Sequence, residues 1–191
     1  MGVAAPKAEQ VISLKVTLRG IRPPIWRRLE VPSRLSLGGL HDAIQAAMGW
    51  GGHHLYMFDV AGRSYGDPAA VDDVADDSRL TVGGVMKAGV RRFTYTYDFG
   101  DDWEHDIVIE GKKAAVDGRR YPACTAGKRN CPPDDCGGVW GYRNLLAALA
   151  NPSGSEAREW SEWMELGFDP EQFSIETVDA KIGARSKSQP A

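Results

Sequence analysis

Tyr95-Thr96-Tyr97-Asp98-Phe99-Gly100-Asp101-Asp102-Trp103-Glu104-His105 sets the architecture of this chain. Phe93, Tyr95, Tyr97 and Phe99 recur at period two with Thr94, Thr96 and Asp98 between them. Beyond the turn, Trp103, His105, Ile107 and Ile109 share a face opposite Asp106, Val108 and Glu110. Alternation of this kind marks two half-buried antiparallel strands. Gly100 followed by Asp101 supplies the turn, because glycine takes positive φ freely and aspartate bonds its own backbone. Asp98-Phe99-Gly100 is not a kinase signature: no glycine-rich loop precedes a lysine-bearing strand, and no His-Arg-Asp loop occurs.

Outward from the hairpin, Val11 to Leu18 alternates as a strand, and Ile25 to Val31 resumes in phase after Arg22-Pro23-Pro24. Ser36 is a natural N-cap for an amphipathic helix in which Leu37, Leu40, Ile44 and Met48 recur at helical spacing. Glycines 49, 51 and 52 end it, His54 to Val60 reads as a strand, and Arg63 to Tyr65 as its short partner. Residues 66–79 read as an acidic loop and Leu80 to Lys87 as a short helix. Tyr121 to Gly141 reads as one long Cys/Pro/Gly loop, a length expected of functional or disordered segments. Helices follow over Val139–Ala150, over Ser155–Leu166 with Trp160, Trp163, Met164 and Leu166 packing, and near Ile175–Ile182.

The 191 residues are 42% hydrophobic and 26% charged, with net charge −3. That balance describes a globular chain and argues against a nucleic-acid binder driven by overall charge. No run approaches the ~20 apolar residues of a membrane helix, and no signal peptide is apparent, so a cytoplasmic location is expected. Lys15, Arg19, Arg22, Arg27, Arg28 and Arg34 make a basic N-terminal zone, and the region from Glu156 to Asp179 is acidic. Either the two zones attract each other within the fold or the basic one is a binding face.

The side chains with chemistry fall into three groups. Asp98, Asp101, Asp102 and His105 could hold a divalent cation through oxygen ligands and an imidazole, or serve the turn and the core. Cys124, Cys131 and Cys136 could hold zinc with one histidine; their spacings of six and four intervening residues depart from paired zinc ligands, so free thiols are the default. Pro132-Pro133-Asp134-Asp135 reads as a cap for the following helix. Trp26, Arg27, Arg28, His41 and His54 frame a candidate ligand face. On a strand, however, Arg27 and Arg28 point to opposite sides, which leaves one free to pair with the hairpin carboxylates.

Five segments together resemble the plasmid pRiA4b ORF-3-like family. They are Pro24-Ile25-Trp26-Arg27-Arg28, Leu40-His41-Asp42-Ala43-Ile44-Gln45 leading to Gly49-Trp50, and His54-Leu55-Tyr56-Met57-Phe58. The hairpin Tyr97 to His105 and Cys131-Pro132-Pro133-Asp134-Asp135-Cys136-Gly137-Gly138, running into Gly141-Tyr142, complete the set. The resemblance implies a small α+β protein found on plasmids and near mobile elements, where some members carry the label transposon resolvase. Recombinase chemistry is not supported here: Ser13 sits mid-strand without flanking catalytic arginines, and no His-x-x-Arg occurs.

The expected fold is a single α+β domain over residues 11–183, an antiparallel or mixed sheet packed against one long helix, with a C-terminal helical region. Residues 1–10 and 184–191 are expected to be disordered. The expected function is a non-enzymatic binding or adaptor module with a nucleic-acid or protein partner, no membrane and no obligatory cofactor. The alternative is a metal-dependent hydrolase or nuclease using the Asp/His cluster, with zinc or another divalent cation.

Overall fold

The computed structural model describes residues 9–158, 160–161 and 167–185. Eight strands form one sheet: β1 Gln10–Leu18, β2 Trp26–Pro32, β3 Tyr56–Val60, β4 Arg63–Gly66, β5 Ala75–Asp76, β6 Arg92–Tyr97, β7 Trp103–Ala114 and β8 Ala123–Lys128. Their spatial order is β5-β4-β3-β6-β7-β1-β2-β8. Every pairing is antiparallel except β4 with β5, so the sheet is mixed. The helices are α1 Leu37–Met48, α2 Val82–Lys87, α3 Gly138–Ala150 and α4 Ile175–Arg185.

The alternation read from the sequence sets the register. Tyr95 pairs with His105, Phe93 with Ile107 and Tyr97 with Trp103, and β1 continues the same face with Val16 opposite Ile107 and Leu18 opposite His105. Tyr95, Tyr97, Trp103, His105 and Ile107 are wholly buried. Burying one such large apolar side chain contributes about 1.5–3 kcal/mol, so this ladder dominates the core. The opposite face, with Lys15, Thr17, Arg28, Thr94 and Asp106, stays half-exposed.

Helix α1 forms as its spacing predicts. Ser36 Oγ accepts from Gly39 N at 3.1 Å, and Gly49, at φ 91°, closes the helix with its N–H on the Gln45 carbonyl. The sheet, rather than one long helix, dominates the fold. Cover over its inner face is shared, with α1 reaching β6 through His41 and Gln45 while α4 packs on both α1 and β8.

Three expectations need correction. Residues 121–141 are not one loop, because β8 lies within them and pairs with β2 from Trp26–Lys128 to Glu30–Ala123. Gln10 begins β1, and Ala184 and Arg185 end α4, so the ordered fold reaches into both expected tails. Of the helix expected over 155–166, Ser155–Arg158 is a 3-10 turn, while Trp163, Met164 and Leu166 lie outside the described residues. No helix among the described residues is long and apolar enough to cross a membrane.

Candidate functional site

Three segments meet at the turn between β6 and β7, here called the hairpin end: residues 51–55 after α1, the turn itself, and the 129–137 loop before α3. The loop is tied down by hydrogen bonds. Trp50 Nε1 donates to the Pro132 carbonyl at 2.9 Å, Gly137 N to Asp101 Oδ2 at 3.1 Å, and the Tyr97 hydroxyl reaches Asp134 Oδ2 at 3.4 Å. Gly138, at φ 64°, lies against the turn so closely that a Cβ would run into the Asp101 carbonyl. Asp101, rather than Asp134 or Asp135, receives the N–H of Gly137, the residue that immediately precedes α3.

Asp98, Asp102 and Asp135 adopt φ of 57°, 52° and 58°. Left-handed backbone is uncommon outside glycine, and aspartate tolerates it through local hydrogen bonds such as Gly100 N to Asp98 Oδ1 at 2.9 Å. The consequence is convergence. His54 Nε2 stands 3.1 Å from Asp135 Oδ1 and 3.9 Å from Asp98 Oδ2. Among the described residues this is the one set of three donors close enough together to hold an ion. Burial pushes the Asp134 carboxyl above the usual range, with Asp135 and Asp98 adding to the rise. Its Oδ1 is buried without a hydrogen-bond partner among the described residues.

An aromatic stack supports the site from below. His54 meets the edge of Tyr97 with ring centres 5.7 Å apart, Tyr97 stacks on Trp50 at 5.2 Å, and Trp50 touches Trp103 and His105. On these segments Leu55 is 44% exposed and Phe99 43%, and Trp140, in the first turn of α3 beneath the Arg143 guanidinium, is 75% exposed.

The residues singled out from sequence scatter. Asp98 joins the convergent set, Asp101 accepts from Gly137 N just ahead of α3, and Asp102 is exposed at the turn. His105 does not face the carboxylates, because strand alternation turns it into the core, where Nδ1 lies 3.3 Å from the Tyr95 carbonyl. Burial lowers its pKa to about 4, so it is neutral at pH 7.

The thiols do not form a zinc site either, since none belongs to a three-donor group among the described residues. β8 carries Cys124 to the sheet edge, Cys131 packs on Met48 beneath α1, and Cys136 precedes α3. All three are buried and free. Burial raises Cys131 to about 11 and Cys136 to about 12, which leaves neither a nucleophile at pH 7.

The expected ligand face does not assemble. Arg27 is buried, bonded to the Ala47, Trp26 and Lys128 carbonyls and 3.4 Å from Cys131 Sγ. Arg28 points the other way and grips Glu110 of β7 through two nitrogens, at 2.6 and 2.9 Å. Trp26 lies on that same outer face between Lys15 and Arg28. His41 is buried under Tyr56, stacked at 3.6 Å, with Nδ1 2.7 Å from the Tyr95 hydroxyl and its pKa lowered by burial to about 4. Only His54 reaches the hairpin end. Among the described residues, the basic zone is answered chiefly by β7, as Arg19 pairs with Glu104 and Asp106 and Arg28 with Glu110, while Arg34 pairs with Glu9.

Sequence reasoning missed Asp135 as a partner for His54. Its one signal was an aspartate followed by Cys136-Gly137-Gly138, a run that permits close backbone approach.

The family model described as plasmid pRiA4b ORF-3-like protein matches residues 10–177. An uncharacterized protein, y4hQ, of Sinorhizobium fredii (strain NBRC 101917 / NGR234) is 41% identical over 156 residues, 80% of each chain. The crystal structure of MM3350 from Methanosarcina mazei Go1, a protein of unknown function, superposes with a TM-score of 0.82 at 36% identity. That match covers 89% of this chain and 98% of the other.

Proposed function

The chain belongs to the plasmid pRiA4b ORF-3-like family, and from the hairpin end we propose that it is a non-enzymatic binding module that engages a basic, apolar segment of a partner protein. One observation carries this. Asp98, Asp101, Asp102, Asp134 and Asp135 have no lysine or arginine ion pair among the described residues, Leu55 and Phe99 surface on the same segments, and Trp140 is exposed in the first turn of α3 that follows them. Unneutralised carboxylates beside exposed aromatics match a partner that offers Lys or Arg next to Leu or Phe. Nucleic acid is the poorer fit, since its phosphates would meet these carboxylates while Arg27 is buried and Arg28 is bound to Glu110.

Selection from a random peptide-display library tests the proposal. Enriched peptides are expected to combine basic and apolar residues, to bind more weakly as salt rises, and to lose binding to Phe99→Ala or Trp140→Ala protein. Enrichment of acidic peptides, or of none, overturns it.

A metal-dependent hydrolase or nuclease is the second reading. It is favoured by the convergence of His54, Asp98 and Asp135, three donors that leave a coordination position for a water. Phosphodiester or ester hydrolysis by the wild-type chain that disappears in Asp98→Asn would establish the enzyme in place of the module.

A further inference from the structure

We propose that His54, Asp98 and Asp135 form a binding site for a divalent cation of the zinc class, which staples the three segments of the hairpin end together. The site lies at the centre of the surface assigned above and so deepens that reading.

The argument rests first on distance. Zinc binds nitrogen and oxygen donors at about 2.0–2.2 Å, so tetrahedral donors stand about 3.3 Å from one another. His54 Nε2 is 3.1 Å from Asp135 Oδ1 and 3.9 Å from Asp98 Oδ2, and all three donors lie within 4.8 Å of one another. Side-chain shifts of under about 1 Å therefore close the shell on an ion of that size.

A second observation is independent of the clustering. Asp98 is 8% exposed, and its Oδ1 is satisfied by Gly100 N. Its Oδ2 accepts no hydrogen bond from a described residue and faces His54 at 3.9 Å. In the adjoining Asp134, whose carboxyl feels His54, Asp135 and Asp98, Oδ1 is buried without a hydrogen-bond partner among the described residues, a state that is costly unless a cation lies near. The donor set then selects the ion: one imidazole with two carboxylates suits zinc or manganese better than calcium, which takes six or more oxygens. With the Asp135 side chain 72% exposed and His54 32%, the remaining coordination position opens to solvent.

The test is calorimetric titration of Zn2+ into the untagged full chain, stripped with chelator and kept reduced. Near one ion per chain is expected, with affinity lowered at least about tenfold in His54→Ala and Asp98→Asn, each a loss of one ligand. Asp135→Asn, on an exposed side chain, gives the same answer if either of those variants fails to fold. Asp106→Asn, whose carboxylate pairs with Arg19, should bind as the wild type does.

The absorption spectrum with Co2+ should show no thiolate charge-transfer band. Absence of binding, unchanged affinity in all three ligand variants, or a thiolate band would each overturn the site. Peptide selection repeated in chelator keeps the two readings apart. Peptide binding without cation binding sinks the metal site alone, and cation binding without peptide binding sinks the module alone.

Discussion

On the open face of the sheet, Arg19 ends on Glu104 and Asp106 at 3.1 and 2.6 Å, Arg28 on Glu110, and Lys113 on Glu30. At the hairpin end, five aspartates gather from the turn and the 129–137 loop, and the only basic side chain paired with any of them among the described residues is the His54 ring. Both regions are rich in charge, but strands supply most of the first and a turn and a loop supply the second. The sheet face answers its own charges, so little field is left to act on a second molecule. The hairpin end leaves its charges open and holds three of the aspartates in left-handed backbone to do so. Backbone of that kind persists only where surrounding structure enforces it, and it clusters where side chains must be aimed.

The largest expected effect separates stability from recognition. His41 and His105 lie in the core between the two regions, both with pKa lowered by burial to about 4. An unfolded imidazole takes up its proton below about 6.5, while the folded one resists until about 4, so acid draws the equilibrium toward the unfolded chain. Their contribution is complete above pH 6.5 and is lost as pH falls through 4, at roughly 3 kcal/mol for each histidine. Asp134 runs the other way: burial raises its carboxyl, so protonation relieves the hairpin end as acid is added. Urea denaturation at pH 7.5 and pH 4.5 checks this. A midpoint that does not fall would mean the two imidazoles are not held dry and neutral.

Next in size is the effect on binding. Phe99→Ala and Trp140→Ala should each weaken a selected peptide by about 2 kcal/mol or more, as buried aromatic anchors do. Because both side chains are exposed in the free chain, unfolding free energy should stay within about 0.5 kcal/mol of wild type. Loss of stability together with binding would make them packing residues and erase the contrast between the regions.

The sheet was legible because its side chains repeat a physical period. Tyr95 and Tyr97 against Trp103 and His105 specify two strands, a register and a core face at once. β8 was not legible, since Ala123-Cys124-Thr125-Ala126-Gly127-Lys128 carries no apolar alternation. It becomes a strand through pairing with β2, while Gly127 leaves room for the Phe173 ring. The site was half legible for a related reason. Proximity in sequence joined Asp98 to His105, but alternation sends His105 inward. His54 and Asp135, which do meet Asp98, arrive from residues 44 positions before and 37 after it, brought together by tertiary contacts that no local pattern encodes.

A smaller effect probes the joint between the hairpin end and α3. Gly138→Ala would place a Cβ against the Asp101 carbonyl at a residue with φ 64°. It should cost about 1–3 kcal/mol of stability in thermal or urea unfolding. It should also weaken the peptide, because Asp101 and Trp140 are positioned through the same contact. Unchanged peptide binding would show that the rim does not depend on how α3 docks.

The smallest effect belongs to the sheet face. Arg28 and Glu110 form a two-pronged pair, yet their side chains are 38% and 31% exposed. Water and salt screen such a pair, so Arg28→Ala should cost no more than about 1 kcal/mol by urea unfolding, with peptide affinity unchanged. The reason is geometric as well as electrostatic. Arg28 lies on β2, beside the edge strand β8 and on the face opposite the core, where Glu110 already holds it, so its removal alters neither the aromatic stack nor the carboxylates at the turn. A peptide weakened by Arg28→Ala would mean that the open face also meets the partner, and the division between answered and unanswered charge would no longer mark where this chain binds.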